Sequence, residues 1–223
     1  MHSEDSGNTR RDTRYEVTQK ARENFAMIAP FALWMALLSF LPASAASYSF
    51  RTVVVGALAI ALYWWCGALK NARISIASLV VGISAGLLVF VLWVVPETSQ
   101  WYREHLIIGY KPFSGISPYD PNVCGLGHTL MRLIGSAFVI APVEELFYRK
   151  FLYKWTGADR KAFWLVVALF ALEHDRIVVG ALAGIVYGLL AIRKGISSAI
   201  LAHVITNFVL GLYVMVFDHW EFW

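Results

Sequence analysis

From Asn24 to Pro96 the chain contains no Asp and no Glu, although this stretch passes through three apolar runs, at about 25–46, 52–69 and 74–95. A helix needs roughly 20 predominantly apolar residues to cross the hydrocarbon of a bilayer. Further apolar runs cover about 125–148, 161–174, 177–192 and 196–217. Inside a membrane every backbone N–H and C=O needs an internal partner, so runs of this kind fold as helices. The fold class expected is all-α: a polytopic membrane helix bundle with about seven transmembrane spans. The run at 161–174 is short for a full crossing and implies a span that is tilted, partly re-entrant or shielded by its neighbours. Only 15% of the 223 residues are charged and 58% are hydrophobic, against roughly a quarter charged in an ordinary soluble domain. That balance excludes a disordered chain, a coiled coil and an ordinary soluble enzyme.

The connections divide the chain into four parts. Residues 1–24 are polar and without apolar periodicity, and are expected to form a cytoplasmic mobile tail. Residues 25–124 hold three spans and a long interfacial loop, 96–124. Residues 125–217 form a second helical part, and 218–223 a short C-terminal tail. The loop contains Pro96, Pro112, Pro118 and Pro121, which argue against a helix through it. Trp101, Tyr102, Tyr110 and Tyr119 are suited to anchor it at the membrane surface. Ala43-Ser44-Ala45-Ala46 imitates a signal-peptide cleavage site, but the long preceding tail and the continuing hydrophobicity favour a retained span.

The cations fix an orientation. Alternate connections, counting the N-terminal tail, carry fourteen Lys and Arg on one side (Arg10, Arg11, Arg14, Lys20, Arg22, Lys70, Arg73, Arg149, Lys150, Lys154, Arg160, Lys161, Arg193 and Lys194). The other side carries Arg51, Arg103, Lys111 and Arg176, and Arg132 lies inside a span. This asymmetry predicts a cytoplasmic N-terminus in the cell membrane, plasma or inner. The net charge of +4 is spread in short clusters between apolar runs, a pattern that speaks for lipid as partner and against nucleic acid. Two cysteines, Cys66 and Cys124, make no disulfide scaffold.

A charged side chain in a span costs at least ~2.5 kcal/mol on insertion scales and is a functional candidate by default. The second half of the chain is rich in them. In Ala141-Pro142-Val143-Glu144-Glu145-Leu146-Phe147-Tyr148-Arg149, Glu145 and Arg149 share a helix face in the favourable order. Glu144, about 100° round the helix, is left free to act as a base. Pro142 removes a backbone donor and can kink the helix open. The second feature is Phe170-Ala171-Leu172-Glu173-His174-Asp175-Arg176, and the third is His203-Val204-Ile205-Thr206-Asn207, which puts an imidazole and an amide one turn apart. Each has a plain reading: solvated glutamates at a helix end, an interfacial histidine, and interhelical hydrogen bonds. Converging on one cavity, a carboxylate, two imidazoles and an amide suffice to activate water and hold an oxyanion. Convergence requires the span carrying His174 to tilt steeply or to start within the membrane.

Glu144-Glu145-x-x-x-Arg149, Phe170-x-x-x-His174 and His203-x-x-x-Asn207, in that order, resemble the motif set of the CPBP intramembrane proteases, which include CAAX prenyl proteases and bacteriocin-processing enzymes. The resemblance covers about 125–217 and looks nearest to the bacterial CAAX prenyl protease-related group, which tends to accompany exosortase-type sorting. It implies a glutamate-type endopeptidase with no cofactor and no metal. Glu144 would activate water together with His174, Glu145 and Arg149 would support them, and His203 with Asn207 would form the oxyanion hole. The family acts on peptide bonds near the cytoplasmic face, in some members beside a lipidated cysteine, so a membrane-anchored protein or peptide is the implied partner. Two other readings use the same residues. One is a zinc hydrolase with Glu144, His174 and His203 as ligands, although no His-Glu-x-x-His pair is present. The other is a transporter or scaffold, for which no inverted repeat is evident. Arg132, His128 and Glu173 have no assigned role at this point.

Overall fold

The computed structural model describes residues 5–67, 75–107 and 116–223, with side chains from residue 16 onward. Lys70, Arg73, Tyr110, Lys111 and Pro112, used above for orientation and anchoring, lie outside the described residues. Every regular element among the described residues is helical. Five helices are long and apolar enough to cross a membrane, at Glu16–Phe40, Ala45–Trp65, Ile76–Thr98, Ile177–Lys194 and Ile196–Phe217. The expectation of about seven therefore reduces to five on length and composition. The runs at 125–148 and 161–174 are helical, but the first is broken into segments and the second has 13 residues.

Helix α1 (Asp5–Phe40) absorbs most of the polar segment expected as a tail; that segment is helical from Asp5 onward. Its residues 16–23 are mostly strong helix formers, and they continue the apolar stretch without a break. Helix α2 (Ala45–Trp65) starts at Ser44, whose side chain accepts from the Ser47 N–H. Helix α3 (Ile76–Val94) starts in the same way at Ser75.

The loop after α3 is not free of helix. A 3₁₀ turn, Val95–Thr98, leads into α4 (Gln100–Leu106), capped by Ser99, because the prolines fall outside 100–106. Trp101 is exposed but Tyr102 is buried, and burial pushes its phenol above the ordinary range. Tyr119 is half-buried and packs edge-on against Tyr48, with ring centroids 5.8 Å apart. A buried Arg176–Glu97 ion pair ties the loop to the second half of the chain.

After the single turn α5 (Pro121–Cys124), one rod runs from Leu126 to Trp155. It consists of α6 (Leu126–Ile134), a π-helical segment Gly135–Ile140, α7 (Ala141–Glu145), a second π segment Leu146–Leu152, and α8 (Tyr153–Trp155). Pro142 has no N–H to give, and widened turns flank the short α-helical piece that contains it. Such widened turns are often found at functional sites. Helices α9 (Arg160–Leu172), α10 (Ile177–Lys194) and α11 (Ile196–Phe217) complete the chain.

The α3–α11 contact is unusually close. A Cβ on Gly86 would lie 2.5 Å from the Ala202 carbonyl oxygen, so only glycine allows the two backbones to meet. In a bilayer such small-residue contacts replace the hydrophobic drive between helices. The Thr206 hydroxyl seals this one by donating to Gly86 O at 2.9 Å.

Candidate active site

The site is assembled by the rod, the end of α9, α10 and α11. Glu145 is fully buried. Its Oε1 lies 3.0 Å from an Arg149 guanidinium nitrogen one turn along and 3.0 Å from His203 Nδ1 on α11. A carboxylate only accepts, so His203 Nδ1 carries the proton and Nε2 is left on the far side of the ring. That far side faces Glu144, with Nε2–Oε2 at 3.8 Å. His203 thus stands between the two adjacent glutamates, hydrogen-bonded to Glu145 alone. The pairing of Glu145 with Arg149 follows the helix spacing read from the sequence. The contact of Glu145 with His203 has no counterpart in that reading.

Aromatic rings fix this arrangement. Tyr187 of α10 stacks on His203, with centroids 4.7 Å apart and planes 20° from parallel. Its hydroxyl donates to Thr206 Oγ1 at 2.7 Å. Phe170 of α9 sits between the two imidazoles, its centroid 4.9 Å from His174 and 5.7 Å from His203. The Arg149 guanidinium lies 4.2 Å over the same Phe170 ring. Tyr187 and Thr206 were missed by the sequence reading. The available signal was a tyrosine in an apolar span and a threonine beside His203, since a buried hydroxyl needs a partner.

His174 follows α9, and its Nδ1 donates to the Phe170 carbonyl at 2.9 Å. Trp93 of α3 packs edge-on against it at 5.5 Å. His174, His203, Asn207, Ser136, Arg132, Tyr187 and Trp93 line one cavity of about 140 Å³, together with Phe222 and Trp223 of the C-terminal segment. Helix α9 has 13 residues and ends at Leu172, before His174. The imidazole that contacts Glu144 is His203, while His174 meets the site through the shared cavity. Asn207 donates from Nδ2 to the Ser136 carbonyl at 2.9 Å. That carbonyl lies in the first π segment, where the ordinary helical hydrogen-bond pattern is interrupted. One N–H and the carbonyl of the amide remain for a ligand. All six sequence candidates, Glu144, Glu145, Arg149, His174, His203 and Asn207, therefore lie on elements that meet around His203.

Three residues without a role gain surroundings. His128 Nδ1 lies 2.8 Å from the Ser49 hydroxyl, linking the rod to α2. Glu173 lies near Tyr148, and its Oε2 is buried without a hydrogen-bond partner. Arg132 lies over aromatic rings at the cavity's edge. Among the described residues no three His, Cys, Asp or Glu side chains are grouped to hold a metal ion.

Residues 126–209 match the Rce1-like family, described as type II CAAX prenyl endopeptidase Rce1-like. This match supports the CAAX protease family for the matched segment. The matched segment begins with α6 and ends within α11, so it contains each of the six candidates. The family is one of membrane proteases, and with five helices fit to cross a bilayer the chain is an integral membrane protein. No curated protein and no solved structure matches the chain.

Proposed function

We propose that this protein is an intramembrane endopeptidase of glutamate type that cuts a membrane-anchored protein or peptide. The observation that carries the reading is the placement of His203 with Nδ1 bonded to Glu145 and Nε2 facing Glu144 at 3.8 Å, inside a segment matching a protease family. Glu144 takes a proton from a water resting against it and His203 Nε2 as that water attacks the substrate carbonyl. The proton passes to Nε2, and Glu145, held by Arg149, stabilises the imidazolium. His203 Nε2 and the spare N–H of Asn207 then donate to the oxyanion, and the same proton goes on to the leaving amine. His174, with its Nδ1 committed to Phe170 O, presents Nε2 to the cavity and helps to hold the water.

His203 lies seven residues from the Ile196 end of α11, about 11 Å along the axis. That end adjoins Arg193 and Lys194. With a cytoplasmic N-terminus in the cell membrane, the cut bond lies in the cytoplasmic half of the bilayer. The test is a comparison of membrane-protein termini in cells carrying wild type or Glu144→Gln. New termini present only with wild type, together with a turnover loss of at least ~10²-fold for the purified variant, are the expected result. Identical termini from the two would overturn the proposal.

A further inference from the structure

Two arginines outside the Glu145–Arg149 pair, Arg51 buried and Arg132 half-buried, are unexplained by the chemistry above. Arg51 of α2 is 6% exposed. Arg132 of α6 stands one turn before Ser136, the residue whose carbonyl holds Asn207. Their guanidinium groups bracket one phenol, at 5.2 Å and 4.3 Å from the Tyr48 ring centroid. Arg51 also lies 5.0 Å over Trp34. Arg132 lies 4.6 Å over Tyr119 and 5.9 Å from Trp223. The two helices are pressed together here, since a Cβ on Gly135 would fall 2.3 Å from Thr52 Oγ1.

Among the described residues neither arginine has an ion pair. The Nε of each, and Thr52 Oγ1 beside them, are buried without a hydrogen-bond partner. Two like charges in a bilayer without an acid are costly, and aromatic faces offset only part of that cost. Arg132 lines the same cavity as His174, His203 and Asn207.

Resting on the peptidase reading, we infer that Arg132, supported by Arg51, binds a carboxylate of the peptide substrate on the leaving side of the cut bond. A guanidinium fork matches a carboxylate in a bidentate way. The cavity carries that anion past the oxyanion donors toward the C-terminal segment, and Trp223 and Tyr119 wall the anchor. The carboxylate comes from either the substrate's free C-terminus or an acidic side chain.

The test reads binding by thermal shift of the Glu144→Gln protein in detergent, where turnover does not interfere. The probes are N-acetyl-Leu-Leu-Phe as free acid, its C-terminal amide, and N-acetyl-Leu-Asp-Phe-amide. The free acid is expected to bind at least ~10-fold more tightly than the plain amide, about 1.4 kcal/mol. Arg132→Gln should erase the preference, and Arg132→Lys should restore part of it. Arg51→Gln should weaken it, which serves as a second variant if Arg132→Gln does not fold. Binding of the Asp-containing amide equal to that of the free acid assigns the carboxylate to a side chain, and weaker binding assigns it to the terminus. Equal binding of acid and amide overturns the inference. So does a stabilisation by dioleoylphosphatidylglycerol over phosphatidylcholine nanodiscs that vanishes in Arg132→Gln while peptides show no acid preference, since the arginines then hold lipid. Loss of the acid preference with cleavage intact rejects the anchor alone. An intact preference with no cleavage by wild type rejects the peptidase reading alone.

Discussion

Arg149 and Arg132 lie on the same rod, and the protein treats them in opposite ways. Arg149 has a carboxylate one turn away, a ring beneath it and a side chain 2% exposed. Arg132 has rings around it and, among the described residues, no acid. A buried pair that loses one member leaves an uncompensated charge, which costs far more than the pair contributes as a whole. An arginine held only by aromatic faces leaves no charge behind when removed. The first belongs to the internal order of the site, and the second is available to something from outside.

The contrast can be broken most sharply at Arg149. Arg149→Ala leaves the Glu145 charge with only the His203 hydrogen bond in a low-dielectric interior and should lower unfolding stability by about 3–5 kcal/mol. The measurement is chemical or thermal unfolding in detergent. A loss under ~1 kcal/mol would show that Glu145 is neutral or otherwise satisfied.

Asn207→Ala tests the next largest effect, in rate and not in stability. Removing one oxyanion donor should reduce kcat about 10²–10³-fold while the melting temperature holds within a few degrees. A large stability loss with little change in kcat would make the Asn207–Ser136 bond purely structural.

Tyr187→Phe removes the hydroxyl that meets Thr206 but keeps the ring on His203. It should cost about 1 kcal/mol of stability and leave kcat within several-fold. A collapse of activity would give that hydroxyl a place in the proton path.

The smallest effect is expected at Arg132. Arg132→Ala should change stability by no more than about 1 kcal/mol, because the lost cation–π contacts are offset by relief of an unpaired, half-buried charge. A loss as large as that of Arg149→Ala would remove the contrast and point to an acid partner.

How much was legible in the sequence depended on the range of the interaction. The pairing of Glu145 with Arg149 is an i,i+4 relation within one helix, so spacing alone gave it. The proximity of His203 to Asn207 has the same origin. The grip of Glu145 on His203 joins residues 58 apart, and no local pattern encodes it. Tyr119 shows the limit from the other side: a tyrosine in a proline-rich loop has the composition of an interface anchor, yet Tyr48 and Arg132 offered it a packed seat. The short helix at 100–106 was hidden because counting prolines across the loop ignored the stretch between them.

Apolar run length and the scarcity of acids in the first half determined by themselves that this chain is a membrane helix bundle, because backbone polar groups in lipid have only internal partners. Three short motifs marked where chemistry could reside. Which nitrogen faces which carboxylate, that two further arginines stand without an acid among the described residues, and that a cavity joins Arg132 to the histidines were decided only in the tertiary structure. Those relations arise from helices meeting at glycine contacts such as Gly86 and Gly135, where the absence of a side chain sets the approach and leaves no periodic trace in the sequence.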